Sequence, residues 1–182
     1  MEYKFPLGIA KDAYFCNRVS ETEHLIRNIH SCTHTVLISP RRYGKTSLAY
    51  RAIGQCGLPF VKIDLYMARD HKDIERAIIK GINGIISQVT GLTDKVLGSI
   101  ATYIKSIKPI LEVGTDGMKL VLQPSEFQNV PENICEALQI LNAILEKKNQ
   151  KAVLLIDEFQ EVERVASNSG IEGAIRHVAQ ET

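Results

Sequence analysis

An α/β fold with a mainly parallel sheet is predicted by three apolar runs and the helical periodicities between them. The runs are Thr35–Ser39, Phe60–Leu65 (FVKIDL) and Ala152–Ile156, the last followed by Asp157 and Glu158. Strands that alternate with helices build parallel sheets. Near-continuous apolar strands are those covered on both faces.

Composition sets the frame. The 182 residues suit one domain, or a large part of a bigger one, and 45% hydrophobic with 24% charged residues is globular. No run reaches the roughly 18 uncharged apolar residues of a membrane helix. The N-terminal MEYKFPLGIAKD lacks the apolar stretch of a secretory leader, so a cytoplasmic location without membrane contact is expected. A net charge of +1 predicts no broad nucleic-acid surface, though a local basic patch remains open. Cys16, Cys32, Cys56 and Cys135 form no CxxC pair and read as isolated reduced thiols. His24, His30, His34, His71 and His177 are scattered and read as surface or helix-face residues.

The elements follow in order. Residues 20–30 read as a helix, with Ser20 and Glu23 as a capping box and Leu25, Ile26 and Ile29 as its stripe. Thr35–Ser39 reads as a short buried strand, and Thr46–Ile53 as a helix closed by Gly54 and Gly57. Asp70 caps a long helix whose stripe is Ile74, Ala77, Ile78, Ile82, Ile85 and Ile86. A further helix is expected over Thr93–Ile107, ending before Pro109. ILEVGTDGMKLVLQP predicts a β-hairpin turning between Gly114 and Gly117. Residues 92–130 are thus a helix and β-hairpin insertion in the α/β plan. Pro131 opens the next helix, and Lys147 and Lys148 suit the dipole at its end. Gly170–Gln180 is a final helix.

The loop after the first run carries the chemistry. Ser39–Thr46, SPRRYGKT, matches the pattern G-x-x-x-x-G-K-[ST] except at Ser39. A helix start offers unpaired N–H groups and a positive dipole end to a phosphate chain. Gly44 lets the backbone approach closely, Lys45 can reach β- and γ-phosphates, Thr46 offers a hydroxyl to Mg²⁺, and Ser47 can contact phosphate. Pro40, Arg41, Arg42 and Tyr43 fill the arch. Ser39 is tolerated if it leaves the strand with an ordinary φ, which Pro40 favours in the residue before it. The run VLLIDEF adds Asp157, placed to coordinate Mg²⁺, and Glu158, placed to polarise an attacking water.

These segments resemble the Walker A and Walker B motifs of P-loop NTPases, in the additional-strand, catalytic-glutamate branch that includes AAA+ and STAND ATPases. FCNRVSETEHL, Phe15–Leu25, resembles the segment that lies over the adenine there. SPRRYGKTSL, VKIDLY and LLIDEFQEV resemble the corresponding segments of the archaeal-type ATPase family, whose members also occur in bacteria. The resemblance implies a P-loop three-layer sandwich, ATP as ligand, and Mg-dependent hydrolysis. It places Lys45 on the β/γ-phosphates, Thr46 and Asp157 on Mg²⁺, and Glu158 as catalytic base. Ser39, Pro40, Arg41, Arg42, Tyr43, Gly44 and Ser47 wrap the phosphates, and Phe15, Asn17 and Arg18 lie near the base of the nucleotide. It also implies a sensor strand, an arginine finger and a lid beyond Thr182, so that the sheet is incomplete within these residues. Self-association or a partner protein would engage that later region.

Some residues keep two readings. Gln160 either reads the γ-phosphate or is a surface turn residue. Asp64 either approaches the site or caps its strand, and Arg176 is a trans-acting finger or part of a solvated helix face. The module as a whole is either an ATPase or a slowly hydrolysing nucleotide switch or scaffold.

Overall fold

The computed structural model describes residues 18–40, 42–89, 107–114, 117–125 and 129–181. Two compact units make up the chain, Met1–Leu58 and Pro59–Thr182.

In the first unit, helices α1 (Val19–His30) and α2 (Lys45–Cys56) pack on one another. Leu25, Leu48 and Ala52 are their buried contact, with Ile26, Ile29 and Leu37 against it, so the expected α1 stripe does face the core. The expected capping box is not formed. The helix starts at Val19, which puts Ser20 inside the first turn, where its hydroxyl meets Glu21 at 3.1 Å. Helix α2 passes through Gly54 and stops at Gly57, φ +63°. A helical glycine costs only about 1 kcal/mol, whereas a left-handed residue ends the hydrogen-bond ladder.

Residues 33–40 form neither helix nor strand, which corrects the buried strand expected over Thr35–Ser39. Val36 and Ile38 are 83% and 91% exposed, while Leu37 packs on the helix pair. This alternation is that of an extended chain. A strand also needs a backbone partner, which a residue pattern does not specify.

The second unit runs β1 (Phe60–Asp64), α3 (His71–Val89), β2 (Lys108–Gly114), β3 (Gly117–Gln123), α4 (Val130–Lys148), β4 (Val153–Asp157), α5 (Glu161–Ala166) and α6 (Ile171–Glu181). Strands β1 and β4 pair in parallel, Phe60 opposite Val153 and Asp64 opposite Asp157. The unit is therefore α/β, with a two-stranded parallel sheet among the described residues.

Helix α3 supplies the central stripe of this unit. Ile74, Ile78, Ile82, Ile85 and Ile86 are all essentially buried. Each such burial contributes about 1.5–3 kcal/mol. Asp70 caps the helix as expected, its Oδ1 accepting from Asp73 N at 2.8 Å. The helix lies close on β1 because Gly81 and Gly84 present no side chain there. A Cβ at Gly81 would fall 2.5 Å from Ile63 Cγ1, and one at Gly84 would fall 3.0 Å from Val61 Cγ2.

The expected hairpin is present as antiparallel β2–β3, with Gly114 opposite Gly117. Its turn, residues 115–116, lies outside the described residues, as does the helix expected over Thr93–Ile107 apart from Ile107, which is buried and not helical. The Asn83 carboxamide of α3 docks the hairpin. It accepts from Leu122 N at 2.8 Å and donates to Leu122 O at 3.0 Å, as a neighbouring strand would. Helix α4 starts one residue before Pro131. Asn129 caps it by accepting from Glu132 N at 3.0 Å, and left-handed Asn149 (φ +50°) closes it. Helix α5 was not expected from the sequence. Cys32 and Cys56 are free thiols, and Cys16 lies outside the described residues. No described helix is long and apolar enough to cross a membrane.

Two outcomes are expected. Gly81→Ala gains about 1 kcal/mol of helix propensity but forces its methyl into buried Ile63, at a cost of about 1–3 kcal/mol. Its denaturation midpoint should fall; a raised midpoint would show that the helix and strand separate freely. Asp73 is held well below the ordinary carboxylate range, first by its hydrogen bond from the Arg69 side chain, then by Arg76 and by Arg69 N. A depressed carboxyl stabilises the fold above the unfolded-state value and loses that contribution as pH falls through its folded value. Asp73→Asn should therefore melt earlier near neutral pH, with the gap closing below about pH 4. A gap that stays constant into acid would contradict this.

Candidate functional site

The candidate residues fall in both units. In the first, α2 opens at Gly44, φ +72°, with no side-chain cap at that end. Arg42 is also left-handed, φ +65°. Left-handed residues in a loop before a helix make concavities suited to anions, and the helix end adds positive potential. Ser39 is not among the residues with positive φ, so the place of the missing glycine carries no left-handed strain. The strain falls on Arg42 instead, at about 1–2 kcal/mol for a residue with a Cβ. Nothing in the spacing of the loop pointed there.

A cavity of about 380 Å³ lies in this unit, lined by Arg18, Glu21, His24, Asn28, Ser39 and Lys45 among others. That is within the range of small-ligand pockets, about 300–1,000 Å³. Lys45 Nζ donates to the Ser39 carbonyl at 2.9 Å. Arg18, Ser39 and Lys45, separated in sequence, thus share one cavity. Pro40, Arg42, Tyr43 and Gly44 form the loop between Ser39 and Lys45. Tyr43 is 59% exposed, and Ser47, in the first turn after Thr46, is buried. Phe15, Asn17 and Arg41 lie outside the described residues. His24, expected as a surface or helix-face residue, lies on α1 and also lines the cavity.

The second group sits at the carboxyl end of the parallel strands. Asp64 and Asp157 are register partners, and Lys62 Nζ reaches both, Asp64 Oδ2 at 2.7 Å and Asp157 Oδ2 at 2.9 Å. Partial burial acts to lower the Lys62 ammonium, but its hydrogen bonds to Asp64 and Asp157 outweigh this and hold it above its ordinary value. The same Lys62 hydrogen bond, opposed by partial burial and helped by Tyr66 N–H, holds Asp64 below the usual carboxylate value. Asp64 Oδ1 accepts from Tyr66 N at 3.1 Å, so Asp64 caps its strand as well as approaching Asp157. The strand-cap reading of Asp64 is therefore the one its Tyr66 N–H contact matches.

Asp157 Oδ1 accepts from Glu158 N at 3.1 Å. Glu158 is left-handed, φ +55°, and its carboxylate is engaged by Gln160 Nε2. The positive φ turns the chain sharply out of β4 and into α5, whose first bonds run from Glu161 N and Val162 N back to Glu158 O and Phe159 O. Arg176 pairs with Glu172 on an exposed face of α6, the solvated-face arrangement. Sequence reasoning missed Lys62 as a partner of Asp157. Its signal was present in part, since the K-x-D spacing of VKID puts Lys62 and Asp64 on one face of a strand.

No group of three or more acidic, histidine or cysteine side chains suited to a metal gathers among the described residues. The donor chemistry at Asp157 is nonetheless of the hard oxygen type, and its carboxylate already holds a cationic ammonium. Mg²⁺ takes one or two carboxylates and completes its shell with phosphate oxygens and water, so this donor set fits it. Compared with known proteins, the chain matches no family model, no curated protein and no solved structure.

Proposed function

We propose that this chain is an ATP-binding module of the P-loop kind, similar to the archaeal-type AAA/STAND ATPases, that hydrolyses ATP with Mg²⁺. The finer fold in this reading is the P-loop three-layer sandwich. The observation that carries it is the cavity shared by Arg18, Ser39 and Lys45 at the uncapped start of α2. Lys45, resting on the Ser39 carbonyl, exchanges that contact for the β- and γ-phosphates. Gly44 and the residues of the loop present backbone N–H groups, and Arg18 faces the remainder of the nucleotide. In this reading Thr46 and Asp157 are each, within its own unit, a candidate oxygen donor to Mg²⁺, and the ion would neutralise phosphate charge when bound. Glu158 takes the proton of the attacking water. Phosphoryl transfer needs little beyond such positioning and charge stabilisation.

A nucleotide-dependent switch with slow turnover is the second reading. It is favoured by the engagement of the Glu158 carboxylate with Gln160, which occupies the proposed base.

Calorimetry tests the binding. Mg-ATP should bind in preference to Mg-GTP, and Lys45→Ala should weaken binding by about ten- to a hundredfold, the loss of a charge-assisted hydrogen bond. Equal binding to parent and variant would overturn the phosphate-loop reading. Glu158→Gln should leave binding intact and slow steady-state phosphate release by about 10²–10⁴-fold, the range of general-base catalysis. Turnover at the parent rate would remove Glu158 as base, and absence of turnover in the parent would favour the switch.

A further inference from the structure

The parallel register sets two carboxylates opposite one another at the end of the sheet, Asp64 on β1 and Asp157 on β4. Neighbouring strands lie only about 4.8 Å apart, so two ionised carboxylates there repel strongly. A neighbouring cation offsets this. Lys62 lies two positions before Asp64, hence on the same face of β1, and its ammonium bridges Asp64 Oδ2 and Asp157 Oδ2. The Lys62 and Asp157 side chains are only 25% and 18% exposed, so solvent screens the contact incompletely. The second oxygen of each carboxylate accepts a backbone N–H, from Tyr66 and from Glu158. These bonds hold the Oδ1 atom of each carboxylate, and the Lys62 ammonium contacts both Oδ2 atoms.

We propose that Lys62 is a resident stand-in for a divalent cation. Its ammonium holds the Asp157 carboxylate in place when no metal is present, and a divalent cation binding Asp157 must displace it. Displaced, the ammonium keeps Asp64 as its partner and remains in the site. The device rests on the reading of Asp157 as a cation ligand. It makes Lys62 a positioning residue that raises the metal concentration the site requires while removing the cost of leaving it empty. Lys62 would thus gate metal entry by direct competition for one oxygen.

The test contains no nucleotide. Mn²⁺ alone is titrated into the full chain and its variants and followed by electron paramagnetic resonance, with melting measured in parallel in MgCl₂ and in NaCl of equal ionic strength. Lys62→Met should bind Mn²⁺ about tenfold more tightly than the parent, the scale on which one neighbouring charge alters binding at a carboxylate. It should melt below the parent in NaCl and recover in MgCl₂, because a ligand that binds only the folded state stabilises it. If Lys62→Met fails to fold, Lys62→Gln replaces it, since the amide can still donate to both carboxylates without a charge. Adding Asp157→Asn should abolish the gain. Unchanged Mn²⁺ affinity in the lysine variants, recovery by NaCl as complete as by MgCl₂, or a gain that survives Asp157→Asn would each overturn the proposal. Failure of Mg-ATP to bind would be seen separately, with Lys45→Ala, and would strike the nucleotide reading alone.

Discussion

The parallel pairing of Phe60–Asp64 with Val153–Asp157 is the constraint on which the second unit depends. Parallel strands cannot be joined by a tight turn, so the chain between them has to cross over the sheet. It does so through α3, the β2–β3 hairpin and α4. Closing so long a loop is entropically costly, and the isoleucine stripe of α3 offsets that cost by burial on β1 and against α4. Gly81 and Gly84 set the closeness of that packing by leaving room for Ile63 and Val61.

The same pairing creates an electrostatic problem and places its answer. Register brings Asp64 level with Asp157, and strand periodicity brings Lys62 to the same face. The left-handed turn at Glu158 then takes the chain directly into α5. Backbone strain of this kind persists only where the surroundings over-determine it. Here the Asp157 carboxylate receives the Glu158 N–H, and the Glu158 carbonyl receives Glu161 N.

In the first unit the organising feature is the start of α2. Two left-handed residues, Arg42 and Gly44, bring the chain into the helix, and the Lys45 ammonium ties that start back to Ser39. The helix pair buries a small contact of Leu25, Leu48 and Ala52, and Leu37 anchors the preceding segment on it. The loop, the helix end and the cavity of this unit thus rest on a small buried contact.

Element types were legible in the residues wherever a local signal was complete. The α3 stripe, the Asp70 cap, the glycine-flanked hairpin and the apolar runs Phe60–Leu65 and Ala152–Ile156 are local patterns, and each appears close to where it is expected, the two runs as strands Phe60–Asp64 and Val153–Asp157. So was the positioning of Lys45 at a helix start behind a left-handed glycine. Tertiary structure decided what local patterns do not encode. Pairing is one such property: 35–39 has the alternation of a strand but no backbone partner among the described residues, while 60–64 has one in 153–157. Register is another, because it alone brings Lys62 to Asp157 across some ninety residues of chain. The capping of α4 by Asn129, the docking of the hairpin by Asn83 and the strain at Arg42 belong to the same class. Propensity and periodicity act over a few residues, whereas these features depend on which distant backbone or charge arrives beside them, and that is determined when the core closes.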